Sequence, residues 1–265
     1  MFEFHQDRKK YFDIQLLNAK KYVIPFIQEV FTIEQNTRVL EIGCGEGGVL
    51  KAFIDKGGSG VGIDLDESRI RNAEIWLKED IKTGKIKFLS KDIYQIDIQI
   101  DFEGLFDIII LKDVIEHIHD QPRLIGWMKK FIKSEGVIFF GFPPWQMPFG
   151  GHQQMCNNKW LSRLPYYHLL PRFLYKSILT RFNEPVDGLL EVRDTRISIE
   201  RFEWIVKKEG YKTINKKQYL LNPIYEWKFG LKPIVQFPLI SALPVVRNFF
   251  TTCVYYLITA YTNKK

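Results

Sequence analysis

The sequence predicts an α/β fold built on a doubly wound, mostly parallel sheet, and three observations predict it. Strand-like and helix-like patterns alternate five times between residues 36 and 142. The first strand runs directly into the turn Gly43-Cys44-Gly45-Glu46-Gly47-Gly48, which opens a helix. The runs 106–111, interrupted only by Asp107, and 137–142 are apolar, as in strands buried on both faces. Such alternation implies right-handed crossovers, with ligands at the carboxyl ends of the strands.

In chain order, Leu16, Leu17, Val23, Phe26, Ile27 and Val30 recur at helical spacing and predict a helical lead-in over 1–35 that Pro25 breaks or kinks. Residues 38–42 read as a buried strand and 49–56 as a helix stopped by Gly57-Gly58. A second strand at 60–63 ends on Asp64, and the next helix carries Ile70, Ala73, Leu77 and Ile81 on one face. Strands follow at 86–89 and 106–111, then a helix around 124–132 and a fifth strand at 137–142. From Pro143 to about residue 195 the chain is rich in aromatics, Pro and His without strand alternation, and it reads as a cap inserted over the sheet. Residues 197–209 return as an amphipathic helix, followed by strands at 211–221 and 250–260. The expected organisation is one domain: lead-in, core over 36–142, cap over 143–195 and a C-terminal part over 196–265.

Composition narrows the function. Hydrophobic residues at 46% and charged residues at 26% supply a packed core and exclude a disordered chain. Cys44, Cys156 and Cys253 are widely spaced with no CxxC pair, so they read as reduced thiols and not as a disulfide framework or zinc knuckle. The apolar stretch 249–261 has 13 residues, short of the roughly 20 that span a bilayer. No apolar core follows the N-terminal charges, so the expected location is cytoplasmic. The net charge of +7 is spread in short pairs such as Lys9-Lys10 and Lys216-Lys217, so no nucleic-acid partner is expected. Residues 222–248 hold four prolines and interleave Trp227, Lys228, Phe229, Lys232, Phe237 and Arg247. That segment is either a packed connection or a surface for peripheral membrane contact or an amphiphilic acceptor.

Three features carry the chemistry. The glycine turn lets a ligand approach the backbone closely, and Asp64, 21 residues past Gly43, is placed to accept both hydroxyls of a ribose. Glu41 discriminates between ligands: a carboxylate there disfavours a pyrophosphate and suits a donor bearing an amine and a sulfonium. A methyl donor therefore fits better than a nicotinamide dinucleotide.

On these residues the chain resembles the class I S-adenosylmethionine-dependent methyltransferases, through Leu40-Glu41-Ile42-Gly43-Cys44-Gly45-Glu46-Gly47, Gly62-Ile63-Asp64, Lys91-Asp92-Ile93 and the segment 106–118. Lys112-Asp113-Val114-Ile115-Glu116-His117-Ile118 looks like the ubiquinone-type and small-molecule O-methyltransferases, with a Glu-His pair after the fourth strand. The resemblance implies a Rossmann-like methyltransferase fold whose final strand is antiparallel. It also implies S-adenosylmethionine as cofactor, with Glu41, Gly43, Cys44 and Gly45 around its methionine part and Asp64 and Leu65 at the ribose. Asp92 and Ile93 would flank the adenine, with Lys112 beside the donor.

An oxygen nucleophile needs a base or a metal. His152, in Gly150-Gly151-His152, follows the fifth strand and is the leading candidate, with His117 second. His117 and His119 form an H-x-H pair without an evident third ligand, so no metal is assigned; His168 suits the cap core as well as a site, and His5 reads as solvated. Trp145, Phe149, Tyr166 and Tyr167 are expected to wall the acceptor. The resulting expectation is methyl transfer to a small apolar or aromatic acceptor at oxygen. The alternatives are transfer to nitrogen or carbon, or a silent module that binds S-adenosylmethionine.

Overall fold

The structure is a computed structural model and describes residues 7–261. It opens with α1 (Arg8–Asn18), where the Asp7 carboxylate caps the helix by accepting from the Lys10 amide at 2.9 Å. A π-helical turn at Ala19–Val23 then joins α1 to α2 (Ile24–Gln28). The residue one turn before Pro25 is Lys21, inside that π turn, so the wider turn absorbs the proline and the lead-in continues without a break.

The core follows as β1 (Arg38–Ile42), α3 (Gly48–Ile54), β2 (Ser59–Asp64), α4 (Glu67–Trp76), α5 (Lys78–Lys82), β3 (Ile86–Ser90), α6 (Ile98–Asp101), β4 (Phe106–Lys112), α7 (Gln121–Trp127) and β5 (Ile132–Phe142). After the cap, which contains α8 (Arg172–Arg181) and α9 (Val186–Thr195), come α10 (Ile199–Lys208), β6 (Tyr211–Leu221), α11 (Tyr225–Phe229), β7 (Ile234–Val235), α12 (Pro238–Ser241), α13 (Val246–Phe250) and β8 (Cys253–Ala260). The sheet order is β3-β2-β1-β4-β5-β8-β6-β7. The pairs among β1 to β5 are parallel, and β8 pairs antiparallel with both β5 and β6. The order reverses between β1 and β4, which opens a crevice at their carboxyl ends.

Alternation along the strands sends successive residues to opposite faces. Leu40, Ile109 and Phe140 pack on one face with Phe202 and Ile205 of α10, while Val39, Ile108 and Phe139 pack on the other with Phe26 and Phe53. Each buried phenylalanine contributes about 2 kcal/mol. The fifth strand starts five residues earlier than the apolar run alone predicts, at Ile132, because Ile132 pairs with Phe106 across a register shift. β7, a two-residue edge strand, was not expected; Ile234 and Val235 pair with β6 while both side chains stay exposed.

The cap builds a small core of its own from Cys156, Leu161, Tyr167, Tyr175, Leu179, Leu189 and Leu190. Segment 222–248 becomes short elements that leave Leu231, Val235, Phe237 and Leu239 exposed. Among the described residues, no helix is long and apolar enough to cross a membrane.

Candidate active site

The site begins where β1 meets the glycine turn. Gly43 adopts φ +70°, and a Cβ there would lie 2.5 Å from a methyl of Val114, so only glycine lets the turn pass beneath the loop after β4. Gly48 answers a different need, since a Cβ would lie 2.6 Å from the Phe12 carbonyl oxygen and push α1 off the start of α3. The third glycine of the GxGxxG pattern thus lets a helix pack closely against the turn.

Asp64 ends β2 with its carboxylate accepting from the Gly45 amide at 2.7 Å and the Asp66 amide at 2.9 Å. This holds the glycine turn against the tip of β2. Glu41 is buried, accepts from the Leu50 amide at 2.9 Å, and has its pKa pushed up to about 8 by burial. Cys44 is buried beside it, and burial raises its thiol pKa well above the ordinary range.

Two cavities flank this turn and share Gly43, Arg69 and Asp113. The larger, about 420 Å³, is lined by Asp64, Leu65, Asp92, Ile93, Val114 and His117. The smaller is lined by Glu41, Cys44, Gly45, Lys112 and, from α1, Tyr11 and Gln15. All nine residues expected at the donor therefore lie along one cleft. Leu65 is 75% exposed at its edge, a surface on which a flat ring can rest. Asp92 accepts from the Tyr94 amide at 2.9 Å and caps the turn that places Ile93.

At the end of β4, Lys112 and Asp113 pair at 2.5 Å. Burial opposes both charges, but each partner's field outweighs it, raising Lys112 and lowering Asp113 from their ordinary pKa values. Asp113 sits at φ +58° and its amide donates to Gly141 at 2.7 Å, which turns the chain toward the Glu116-His117 segment. On the opposite side, Lys21 pairs with Glu226 at 2.8 Å and ties α11 to the lead-in. α11 places Lys228 over the Tyr11 ring at 5.2 Å. Burial lowers the Lys228 pKa to about 8, with Asp113 acting against that shift.

The histidines divide clearly. His152 adopts φ +54° and its ring stacks on that of His117, centroids 5.0 Å apart and planes at 5°. His119 does not join His117; it is exposed, with its Nε2 3.9 Å from Glu191. Glu116 takes the third place, since Glu116, His117 and His152 bring one ligand atom each within 4.8 Å of one another. His168 is fully buried between the Gln153 amide and the Trp145 carbonyl, both at 2.7 Å. The carbonyl can only accept, so Nε2 carries the hydrogen and Nδ1 accepts from Gln153. A Cβ on Gly151 would lie 2.5 Å from His168 Cβ, so His168 braces the loop that carries His152. His5 lies outside the described residues.

The expected aromatic wall is dispersed. Phe149 lines a cavity of about 250 Å³ with Leu221, Tyr225, Phe229, Leu231 and Arg163. Tyr167 turns into the cap core instead, bonded to Cys156 at 3.2 Å and packed on Tyr175. Tyr166 donates to the Phe249 carbonyl at 2.9 Å, and Trp145 packs against His168 and Arg196. Tyr11, Gln15, Arg69, Asp113, Tyr225 and Lys228 escaped the sequence reading. Asp113 alone carried a visible signal, next to Lys112 at a strand end.

Comparison with known proteins bears on the family and the fold. Residues 16–183 match the family model described as a methyltransferase domain. A ubiquinone biosynthesis O-methyltransferase of Thiobacillus denitrificans is 28% identical over 103 residues, 39% of this chain and 43% of that protein. One from Hydrogenovibrio crunogenus is 30% identical over 118 residues, 44% of this chain and 46% of that protein. The matches thus span about half the length of these curated relatives. A putative sarcosine dimethylglycine methyltransferase from Galdieria sulphuraria superposes with a TM-score of 0.58 at 14% identity, covering 91% of this chain and 85% of that one. With the family model spanning more than half of its length, and with the sheet of the S-adenosylmethionine-dependent methyltransferases, the chain belongs to the methyltransferase-domain family.

Proposed function

We propose that this methyltransferase transfers the methyl group of S-adenosylmethionine to a hydroxyl oxygen of a small apolar or aromatic acceptor. The observation that carries the reading is the meeting of the two cavities at Gly43, Arg69 and Asp113. A donor with adenine beside Asp92 and Ile93, ribose on Asp64 and its methionine part at Gly45 and Lys112 bends at that junction. Its methyl group then faces Asp113 and the cap side, where His117 and His152 stack.

Transfer is an in-line displacement that neutralises the sulfonium, so most of the acceleration comes from alignment and exclusion of water. Glu41 supplies the negative charge that favours a cationic donor. The acceptor oxygen is ionised at the Glu116, His117 and His152 cluster, and the cavity around Phe149, Tyr225 and Phe229 holds its apolar part. The names of the curated relatives support oxygen as the receiving atom.

Incubation of the protein with methyl-labelled S-adenosylmethionine and a panel of hydroxyaromatic compounds, with the products identified by mass spectrometry, tests this. Label on an oxygen supports the reading. Label on nitrogen or carbon only, or on no member of a panel extended to amines and a cell extract, overturns it.

A further inference from the structure

The 31 aspartates and glutamates of the chain are unevenly spread, with none between residues 143 and 183 and none between 227 and 265. These two segments, far apart in sequence, meet in the structure. Tyr166 of the first donates to the Phe249 carbonyl of the second, and Phe149 and Arg163 line one cavity with Phe229 and Leu231. Acids that reach these segments from elsewhere are already engaged. Glu200 pairs with Arg247 at 2.9 Å, and Glu184 accepts from the Asn157 and Asn158 amides at 2.6 and 2.7 Å. Lys159, Arg163 and Lys232 stay exposed, so the face is positive.

The same face is apolar. Residues 229–246 contain a single charged side chain, Lys232, yet Leu231, Val235, Phe237, Leu239 and Leu243 are all exposed. Pro233, Pro238 and Pro244 divide the stretch into short elements that hold these side chains outward. Leu239 on α12 is 82% exposed, and Trp160, which shares a surface cavity with Arg163, is 87% exposed.

We propose that this face docks the protein on an anionic lipid bilayer, with Trp160, Phe237 and Leu239 entering the interface and Lys159, Arg163 and Lys232 at the lipid phosphates. Binding of such a surface sums the burial of apolar side chains and the attraction of cations to anionic lipid. A tryptophan suits the boundary, since its ring is apolar and its N–H polar. A second copy of the chain fits less well. In a twofold dimer the patch meets itself, so exposed cations would face cations with no carboxylate between them. A bilayer also accepts side chains that protrude singly, whereas a protein partner needs a matched pocket for each. The proposal is independent of which atom receives the methyl group. Phe229 and Leu231 belong to both the exposed face and the cavity, so docking turns that cavity toward the lipid.

Flotation of the full chain with vesicles of phosphatidylcholine alone, or mixed with phosphatidylglycerol, tests this at low and high salt. The protein co-floats with the anionic vesicles at low salt, and its binding is at least about tenfold weaker on neutral vesicles and at high salt. Leu239→Asp and Lys232→Glu change exposed side chains, keep the wild-type thermal unfolding, and each weaken binding at least about tenfold. No co-flotation of the wild type with anionic vesicles at low salt, binding indifferent to lipid charge, or binding unchanged in both variants overturns the proposal. A wild-type dimer that binds no vesicles and that Leu239→Asp turns into a monomer in sedimentation also overturns it, and assigns the face to a second copy.

Discussion

His117 and His152, 35 residues apart in the chain, lie with their rings nearly parallel and 5.0 Å between centroids. The first follows β4 and the second follows β5, so two adjacent parallel strands deliver one imidazole each to the same spot. Burial lowers the His117 pKa from its ordinary value, which keeps that ring neutral near pH 7 and available as a base or a ligand.

His152→Ala is expected to lower turnover by roughly 10²–10⁴-fold while donor affinity stays close to wild type, because the ring stands on the side of the cleft proposed for the acceptor. Steady-state kinetics with an identified acceptor, paired with calorimetric binding of S-adenosylhomocysteine, checks both halves. Wild-type turnover from pH 6 to 9 would remove His152 from the chemistry.

Donor affinity should depend on pH through Glu41. In the free protein this carboxyl has its pKa raised to about 8, so it is largely protonated at pH 6 to 7. A bound cation favours the ionised form, so S-adenosylmethionine should bind more tightly as pH rises toward 8 and should release a proton on binding. Titrations in buffers of different ionisation enthalpy measure that proton. In Glu41→Gln the release should vanish.

His168 predicts an acid limit to stability. Burial lowers its pKa from 6.5 to about 4, so between those values the unfolded chain binds a proton that the folded protein does not. Its contribution is therefore complete above pH 6.5 and lost as pH falls toward 4, about 3 kcal/mol in all. Urea unfolding at pH 7 and pH 4.5 should show a smaller loss in His168→Gln than in the wild type. Loosening of the His152 loop in that variant should also appear as reduced turnover at pH 7.

Much of the proposed donor cleft was legible because its residues are local in sequence. Gly43, Gly45 and Asp64 sit where strand, turn and helix patterns meet, and a short motif fixes their relative positions. The rest of the site was harder to read because distant segments assemble it. Tyr11 comes from the lead-in helix, Lys228 from a five-residue helix between prolines, and His152 from a loop whose direction depends on a brace at His168. Tyr167 and Phe149 belong to the same aromatic-rich stretch, and only tertiary packing sends one to the cap core and the other to a cavity. The H-x-H spacing of His117 and His119 suggested a pair, yet the turn after β4 points them to different partners.

The central claim is that the cleft between Asp64 and Lys112 holds S-adenosylmethionine, and calorimetric titration of S-adenosylhomocysteine into wild-type protein and Asp64→Ala tests it most directly. Asp64 accepts from the Gly45 amide and, in the proposed complex, from the ribose, so its loss should weaken binding by roughly 2–4 kcal/mol, a factor of about 30 to 1,000. Saturable binding to the wild type with that loss in the variant is the predicted result. Tight binding of NADH with no response to S-adenosylhomocysteine would contradict the account.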